Sequence, residues 1–471
     1  MNMKIPDNVK TIIETLEEKG FEAYAVGGCV RDSLLGRTPG DWDITTSARP
    51  EQVKALFPRT IDTGIAHGTV TIMIGKEGYE ITTYRTESDY QDHRHPDKVE
   101  FTPNLVEDLK RRDFTINAMA FNEKKGIVDL FHGIDDLQKK CIRCVGDPVE
   151  RFDEDALRML RGVRFAGQLQ FQMDEATRAA IVQKADTLVN VSAERICTEL
   201  TKLLVSDGSD RLLLAVDTGL TPYFLPELDR MLGTPQQNPH HCYDVGHHSM
   251  EAVRQINRLW KERELDLHFS HKEHVALVYG ALLHDVAKPD CKTTDEQGID
   301  HFYGHDEQGA KKAGKILKRL KFDNDTISKV TRMIAFHDRR HEGCYEAGHY
   351  SPKGKKAMRR LINQAGSDVM PLLFLLQEAD LLAQSEYHQQ EKLDKLAAGR
   401  RCYEEIVTAG DAVTVKDLVI GGRELMELGV RKGPEIGEIL KKLLDLVMED
   451  PTQNTREVLQ EQVRVFLRNG D

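Results

Sequence analysis

The sequence predicts a multidomain α/β plus all-α protein: an α/β head of about 140 residues, then a longer helical body, in a chain of 471. Two observations predict the head. Strand-like runs at 21–26, 41–45, 69–75 and 79–84 are rich in aliphatic, aromatic and β-branched residues, and turn residues punctuate them. Before them, a helical pattern over Asp7–Lys19 ends at Gly20, a residue suited to the left-handed C-terminal turn. A third observation predicts the body, since after about residue 141 helix-period patterns dominate.

In the head, Phe21–Val26 runs into Gly27-Gly28-Cys29-Val30-Arg31-Asp32. Two glycines after a strand let backbone amides approach a phosphate closely. Asp41-Trp42-Asp43-Ile44 reads as a second strand, where residues two apart share a face, so both carboxylates project side by side. Paired carboxylates with no basic neighbour suit a Mg²⁺ ion that also holds a triphosphate. Thr69–Gly75 and Tyr79–Tyr84 form a hairpin about Gly75-Lys76-Glu77-Gly78, and the hairpin is expected to bring Glu80 to Asp41 and Asp43. Residues 89–97 are expected to be a loop, and Leu109–Ala118 the start of a buried helix on which one or both of Arg111 and Arg112 grip triphosphate oxygens.

Composition bounds the alternatives. The formal net charge is −12, so positive charge for nucleic acid must be confined to a groove, for which Lys110–Arg112, Lys139, Lys140, Arg143, Arg158, Arg161 and Arg164 are candidates. No apolar run is long enough to cross a bilayer and no hydrophobic N-terminal segment is present, so a cytoplasmic protein without a membrane partner is expected. The eight cysteines are scattered, and Cys141-x-x-Cys144 has no second pair to complete a zinc site.

Gly27-Gly28-x-x-Arg31-Asp32, Asp41-x-Asp43 and Arg111-Arg112-Asp113-Phe114-Thr115-x-Asn117-Ala118 together resemble class II tRNA nucleotidyltransferases. These are the CCA-adding enzymes, a family shared with bacterial poly(A) polymerases, in the superfamily of DNA polymerase β. The resemblance is close over about the first 205 residues. It implies a polymerase-β-like head in which Gly28 and Arg31 contact the nucleotide, Asp41 and Asp43 hold Mg²⁺, and Arg112 meets the incoming triphosphate.

Between 151 and 165 a single amphipathic helix is expected, with Asp155, Arg158, Arg161 and Arg164 recurring every three residues. The bland alternative is a salt-bridged surface helix. The sharper reading follows from base chemistry: adenine and cytosine each present an amino donor beside a ring-nitrogen acceptor. One carboxylate and one arginine fit both bases, and would leave buried polar groups unpaired with G or U. Glu154-Asp155-x-x-Arg158 resembles the family's protein template, which assigns base selection to Asp155 and Arg158 and further nucleotide contacts to Arg161 and Arg164. Ser192-Ala193-Glu194-Arg195 reads as a capped helix start of structural role.

Further on, His240–His248, His284-Asp285, His305-Asp306, His337-Asp338 and Asp380 lie in a helical region. An adjacent His-Asp on an apolar helix is costly to bury unless a cation compensates it. The set His248, His284, Asp285 and Asp380 resembles an HD domain, with His305 and His337 as extra ligands for a second ion. This implies a divalent metal (Mn²⁺, Ni²⁺ or Fe²⁺) and, as an accessory activity, phosphohydrolysis of a 2′,3′-cyclic or 2′-phosphate end. Leu428–Gly437, with Arg431, Lys432 and a Gly433-Pro434 helix start, resembles the family's tRNA-binding tail.

The expected organisation is a nucleotidyltransferase head (1–140), a helical neck (141–240), an HD domain (241–385) and a helical tail (386–471). The expected reaction adds C, C and A from CTP and ATP to a tRNA 3′ end, gripping its acceptor arm, with no DNA partner. Poly(A) polymerase and CC-only or A-only enzymes are the nearest alternatives. Asp92-His93-Arg94, matching the family's element for switching from C to A, favours full CCA addition.

Overall fold

The computed structural model describes residues 3–65, 68–88, 98–339, 341 and 343–469. The Asp92-His93-Arg94 segment lies outside them. By their internal contacts the residues divide into two compact units, Met1–Asp229 and Arg230–Asp471.

The first unit opens with α1 (Asp7–Glu18), whose Val9, Ile12, Ile13 and Leu16 make one buried stripe at helical spacing. It packs on a seven-stranded mixed sheet of order β3-β4-β5-β2-β1-β8-β9. The strands are β1 (Ala23–Val26), β2 (Ile44–Thr46), β3 (Thr60–Gly64), β4 (Thr69–Ile74), β5 (Glu77–Thr83), β8 (Met119–Asn122) and β9 (Gly126–Asp129). A separate ribbon pairs β6 (Arg85–Ser88) with β7 (Lys98–Phe101). The β4–β5 hairpin is antiparallel as expected, and β5 continues parallel to β2 with Ile81 opposite Ile44.

Two expectations need correction here. Asp41 and Asp43 precede β2 rather than belonging to it, although the Val26 amide donates to the Asp43 carbonyl at 3.0 Å and so holds that residue in the sheet's plane. The helix expected from Leu109 instead ends there: α4 (Leu105–Lys110) stops, and a 3₁₀ turn, Thr115–Asn117, follows. The strands β3, β8 and β9 were not legible, because Met119–Asn122 is buried throughout and shows no alternation.

Tyr24 and Val26 of β1 pack with Ala120 and with Leu105 and Leu109 of α4. That contact fixes the far end of α4, which carries Asp108, Arg111 and Arg112. Short helices α2 (Gly28–Leu34), α3 (Pro50–Leu56) and α5 (Gly133–Gln138) complete the head. Beyond it come α6 (Pro148–Glu154), α7 (Leu157–Leu169), α8 (Glu175–Lys184), α9 (Ala193–Leu204) and α10 (Leu212–Asp217). Helix α11 (Pro226–Leu232) follows.

The second unit is helical. The helices that bring the histidines and aspartates together are α12 (Val245–Glu262), α13 (His271–Leu283), α15 (His305–Arg319), α16 (Asn324–Phe336) and α18 (Met370–Leu382), with the short α14 (Lys288–Cys291) between α13 and α15. Helix α12 packs on α13 and α18, and α13 on α16. Helix α13 is apolar all round and buried, which makes it the unit's central element. Helices α17 (Lys355–Ala365) and α19 (Gln389–Ala409) lead to α20 (Gly422–Glu427), α21 (Pro434–Glu449) and α22 (Arg456–Asn469). Those last three share a core around Leu425, Leu443, Val447, Leu459 and Val463.

In the first unit, α7 is pinned by a backbone crossing. A Cβ on Gly208 would lie 2.2 Å from the Gly167 carbonyl oxygen, a fixed backbone atom. Gly208→Ala is therefore expected to cost about 1–3 kcal/mol, lowering the thermal midpoint of the first unit by roughly 3–10 °C in a calorimetric scan.

Candidate active site and metal centre

The Gly-Gly turn is built by its neighbours. The Gly27 amide donates to the Met119 carbonyl at 3.1 Å, so it serves the sheet rather than a ligand. Gly27 has φ +81°, and a Cβ there would lie 3.0 Å from Nη1 of Arg112. Glycine is thus required twice, for the backbone conformation and for the approach of that guanidinium. Arg31, on the first turn of α2, forks onto Asp32 at 2.9 Å and donates to Asn117 Oδ1 at 2.7 Å. Asn117 in turn donates to Asp113 Oδ1 at 3.1 Å, and Asp113 accepts from Arg161 Nε at 2.8 Å. The motifs at 27–32 and 111–118 and the helix α7 are therefore links of one hydrogen-bonded chain.

The carboxylates gather beside it. The parallel register Ile44↔Ile81 carries Asp43 and Glu80, the residues preceding that pair, along the same cleft. Asp43 is open to water, yet its carboxyl is pushed up to about 6, first by desolvation and then by Asp41, with Glu80 adding and Arg112 opposing. The cleft is a hollow of about 170 Å³ lined by Asp43, Glu80, Thr69, Thr82, Arg111 and Arg112 among others. Crowded like charges with a raised pKa are the condition that a divalent cation relieves, and an all-oxygen donor set suits Mg²⁺. Among the described residues, Asp41, Asp43 and Glu80 do not converge as a three-ligand group within 4.8 Å.

Asp108, fully buried, aims the two arginines. Its Oδ1 accepts from Arg111 at 3.0 and 2.7 Å, and its Oδ2 from Arg112 at 3.5 Å and from Thr45 at 3.1 Å. Burial alone would raise its pKa, but Arg111 and Arg112 bring it below the usual carboxylate value. The Nε of Arg112 is buried with no hydrogen-bond partner, a donor suited to a phosphate oxygen.

The helix expected across 151–165 is two helices. Asp155 is extended (φ −146°, ψ 103°) between α6 and α7. Neither Gly nor Pro marks the break. Asp155 makes it by accepting the Leu157 amide at 3.1 Å, while its other oxygen accepts from Arg195 at 2.7 Å. Nor is this a surface helix: Arg158 is 8% and Arg164 7% exposed. Arg158 pairs with Glu154 and donates to the carbonyls of Arg151 and Arg111 at 3.1 and 2.9 Å. Arg164 pairs with Glu199 and donates to Gln168 at 2.7 Å. Sequence reasoning missed Asp108, Asp113, Glu199 and the pairing role of Arg195. Asp108 did carry a local signal, arginines three and four residues on, whereas Asp113 and Glu199 pair with arginines 48 and 35 positions away. Ser192 sits at the start of α9 but makes no side-chain cap.

In the second unit, Asp285 lies just past the end of α13 and is shared by two clusters, His248/His284/Asp285 and Asp285/His305/His337. Asp285 Oδ2 is 3.2 Å from His284 Nε2 and 3.7 Å from His248 Nε2. Its Oδ1 is 3.4 Å from His305 Nε2 and 3.7 Å from His337 Nε2. Asp380 joins the first cluster, 2.9 Å from His248 Nε2. Each imidazole turns Nδ1 to a backbone carbonyl, of Ala383, Ala281, Phe302 and Ile334 at 3.3, 2.8, 2.8 and 2.7 Å. That contact selects the tautomer with a bare, inward Nε2, the arrangement of a metal-ligating histidine. Both Asp285 oxygens are buried without a well-aligned hydrogen bond, although Lys288 Nζ lies 2.7 Å from Oδ2. The donor set fits divalent metal ions, one in each cluster.

Because Asp43 ionises at a cost in the folded chain, its raised pKa opposes folding at pH 7, where it is charged. Asp43→Asn removes that cost. The variant is expected to lose nucleotide incorporation yet to melt at or above the wild-type temperature in chelator-treated buffer at pH 7. Paired activity and melting assays check this.

Among known proteins, residues 23–143 match the Poly A polymerase head domain, and residues 170–232 the probable RNA and SrmB-binding site of polymerase A. Residues 293–463 match the putative domain 2 of tRNA nucleotidyltransferases. The CCA-adding enzyme of Limosilactobacillus reuteri is 36% identical over 98% of this chain and 97% of its own. That of Streptococcus suis is 34% identical over 97% and 96%. The crystal structure of the Bacillus stearothermophilus CCA-adding enzyme in complex with CTP superposes with a TM-score of 0.70, at 30% identity, over 99% of this chain and 98% of that one. No described helix is long and apolar enough to cross a membrane. With its polymerase-β-like head, its arginine-lined cleft and this full-length similarity, the chain belongs to the CCA-adding enzymes, the tRNA nucleotidyltransferases.

Proposed function

We propose that this protein adds C, C and A, from CTP and ATP, to the 3′ end of tRNA in the cytoplasm, gripping the acceptor arm. The observation that carries the reading is the continuous hydrogen-bonded chain from Arg31 through Asn117 and Asp113 to Arg161, beside the Asp43–Glu80 cleft. It ties a triphosphate site to a base-reading helix.

In this reading Asp41, Asp43 and Glu80 hold Mg²⁺, which when bound lowers the pKa of the primer hydroxyl and steadies the departing pyrophosphate. Arg112, with Arg111 beside it, takes the triphosphate oxygens, and Gly28 and Arg31 flank the sugar-phosphate. Asp155 accepts from the amino group of C or A, and Arg158 donates to the ring nitrogen. Their fixed partners, Arg195 and Glu154, keep both groups from adapting to G or U. Arg161 and Arg164 brace this helix from below and border the nucleotide.

In the second unit, His248, His284, Asp285 and Asp380 would hold one divalent ion (Mn²⁺, Ni²⁺ or Fe²⁺), and His305 and His337, sharing Asp285, a second. Bound there, such ions would supply a water-derived nucleophile for phosphoester hydrolysis. The residues' part is to keep four Nε2 atoms converged and the site closed to bulk water. This supports an accessory phosphohydrolase acting on 2′,3′-cyclic or 2′-phosphate ends.

The test of the main reading is incubation with tRNA lacking CCA, in CTP alone, ATP alone and both, with products resolved to one nucleotide. Addition of CC, nothing, and CCA respectively is expected. Long adenosine tails would instead make it a poly(A) polymerase. Asp155→Ala should slow CTP and ATP incorporation by roughly 10²-fold or more while narrowing the margin against UTP and GTP. For the second unit, Mn²⁺ titration calorimetry in an Asp41→Asn/Asp43→Asn background should give two sites. His305→Ala should remove one and Asp285→Asn both. Unchanged stoichiometry in both variants contradicts the shared-aspartate centre.

A further inference from the structure

On Phe165, 4% exposed on α7, three arginines of the nucleotide set converge. The guanidinium carbon of Arg164 lies 3.9 Å from its centroid, that of Arg31 5.0 Å and that of Arg161 5.5 Å. Arg31 comes from α2 in the sheet domain, while the other two come from the base-reading helix. Phe114, from the motif at 111–118, packs edge-on against the same ring at 5.8 Å and 81°. Three like charges around one small ring would repel one another. Each therefore has its own acid: Asp32 for Arg31 at 2.9 Å, Asp113 for Arg161 at 2.7 Å, and Glu199 for Arg164.

We infer that Phe165 is a positioning residue for nucleotide addition: its ring face holds Arg31 to the base-reading helix, setting the distance between the nucleotide contact of Arg31 and the base template. An aliphatic side chain of similar size would fill the space but would present no negative face to a guanidinium. The ion pairs cannot do this job alone. Asp32 is Arg31's sequence neighbour on α2 and moves with it, so only Asn117 and Phe165 tie Arg31 to groups outside α2 among the contacts described here. Because the ring touches guanidiniums rather than Asp155 or Arg158, CTP and ATP should depend on it equally.

This rests on the reading that Arg31, Arg161 and Arg164 serve the nucleotide, so the test has two arms. In the first, Phe165 is replaced by phenylalanine analogues of increasing fluorination up to pentafluorophenylalanine. These keep the shape and progressively cancel the ring's negative face. The KM for CTP and for ATP is expected to rise stepwise, about 3- to 10-fold at the end of the series, at constant KM for the tRNA primer and near-constant melting temperature. Phe165→Leu should behave like the end of the series, and Phe165→Tyr like wild type. In the second arm, Arg31→Ala should raise the nucleotide KM at least as much. If Arg31→Ala raises KM while the fluorinated series stays flat, the role assigned to Phe165 is wrong and the ring is core packing only. If Arg31→Ala leaves KM unchanged, the nucleotide assignment itself fails. Should Phe165→Leu not fold, the fluorinated series still decides.

Discussion

The first unit depends on one unfavourable arrangement: the Asp43 carboxyl, partly desolvated at a cleft, within reach of the like charges of Asp41 and Glu80. Asp43 shows the strain directly, with a carboxyl pushed up to about 6 by desolvation and by Asp41 and Glu80. The sheet enforces it. Asp43 is tied by its carbonyl to the end of β1, and Glu80 sits on β5, the parallel neighbour of β2. The backbone of both residues is thus held by the sheet, and a divalent cation would relieve the charge their side chains bring to the cleft. The surrounding arginines answer a different need. They line the same cleft, and Arg111 and Arg112 are anchored by the one buried carboxylate of Asp108, so they are in place before an anion arrives.

That anchoring gives the unit its rigidity. Asp108 holds Arg111 and Arg112, Asp113 holds Arg161, Glu199 holds Arg164, and Glu154 holds Arg158. Buried ion pairs add little net stability against a well-packed apolar core, but breaking one side is costly, so they fix geometry more than they add stability. A site that must accept two different bases and reject two others has that requirement, because selectivity comes from groups that cannot rearrange. The second unit follows a similar logic with different atoms. There the backbone carbonyls orient four imidazoles, and one shared carboxylate joins two clusters.

Much of this was legible in the sequence, for identifiable reasons. The hairpin 69–83 announced itself through β-branched residues around a glycine turn, the Asp-x-Asp spacing singled out Asp41 and Asp43, and the hairpin's place beside them singled out Glu80. The His-Asp pairs stood out because charged residues on an apolar helix demand compensation. What failed to show has physical causes too. Buried strands such as Met119–Asn122 carry no alternation, and the helix break at Asp155 is made by a side-chain hydrogen bond in a stretch with no glycine or proline. Asp113 pairs with Arg161, 48 residues on, and Glu199 with Arg164, 35 residues back, and no local pattern encodes such pairings.

The central claim is that Asp41, Asp43 and Glu80 form one electrostatically coupled site. The most direct measurement is a carbon-13 NMR titration of the Asp43 side-chain carboxyl in metal-free enzyme, repeated in Asp41→Asn and Glu80→Gln. The account predicts a midpoint of about 6 in the wild type, moving toward the ordinary carboxylate range in each variant. An ordinary midpoint near about 4 in the wild type, unmoved by either substitution, would contradict it.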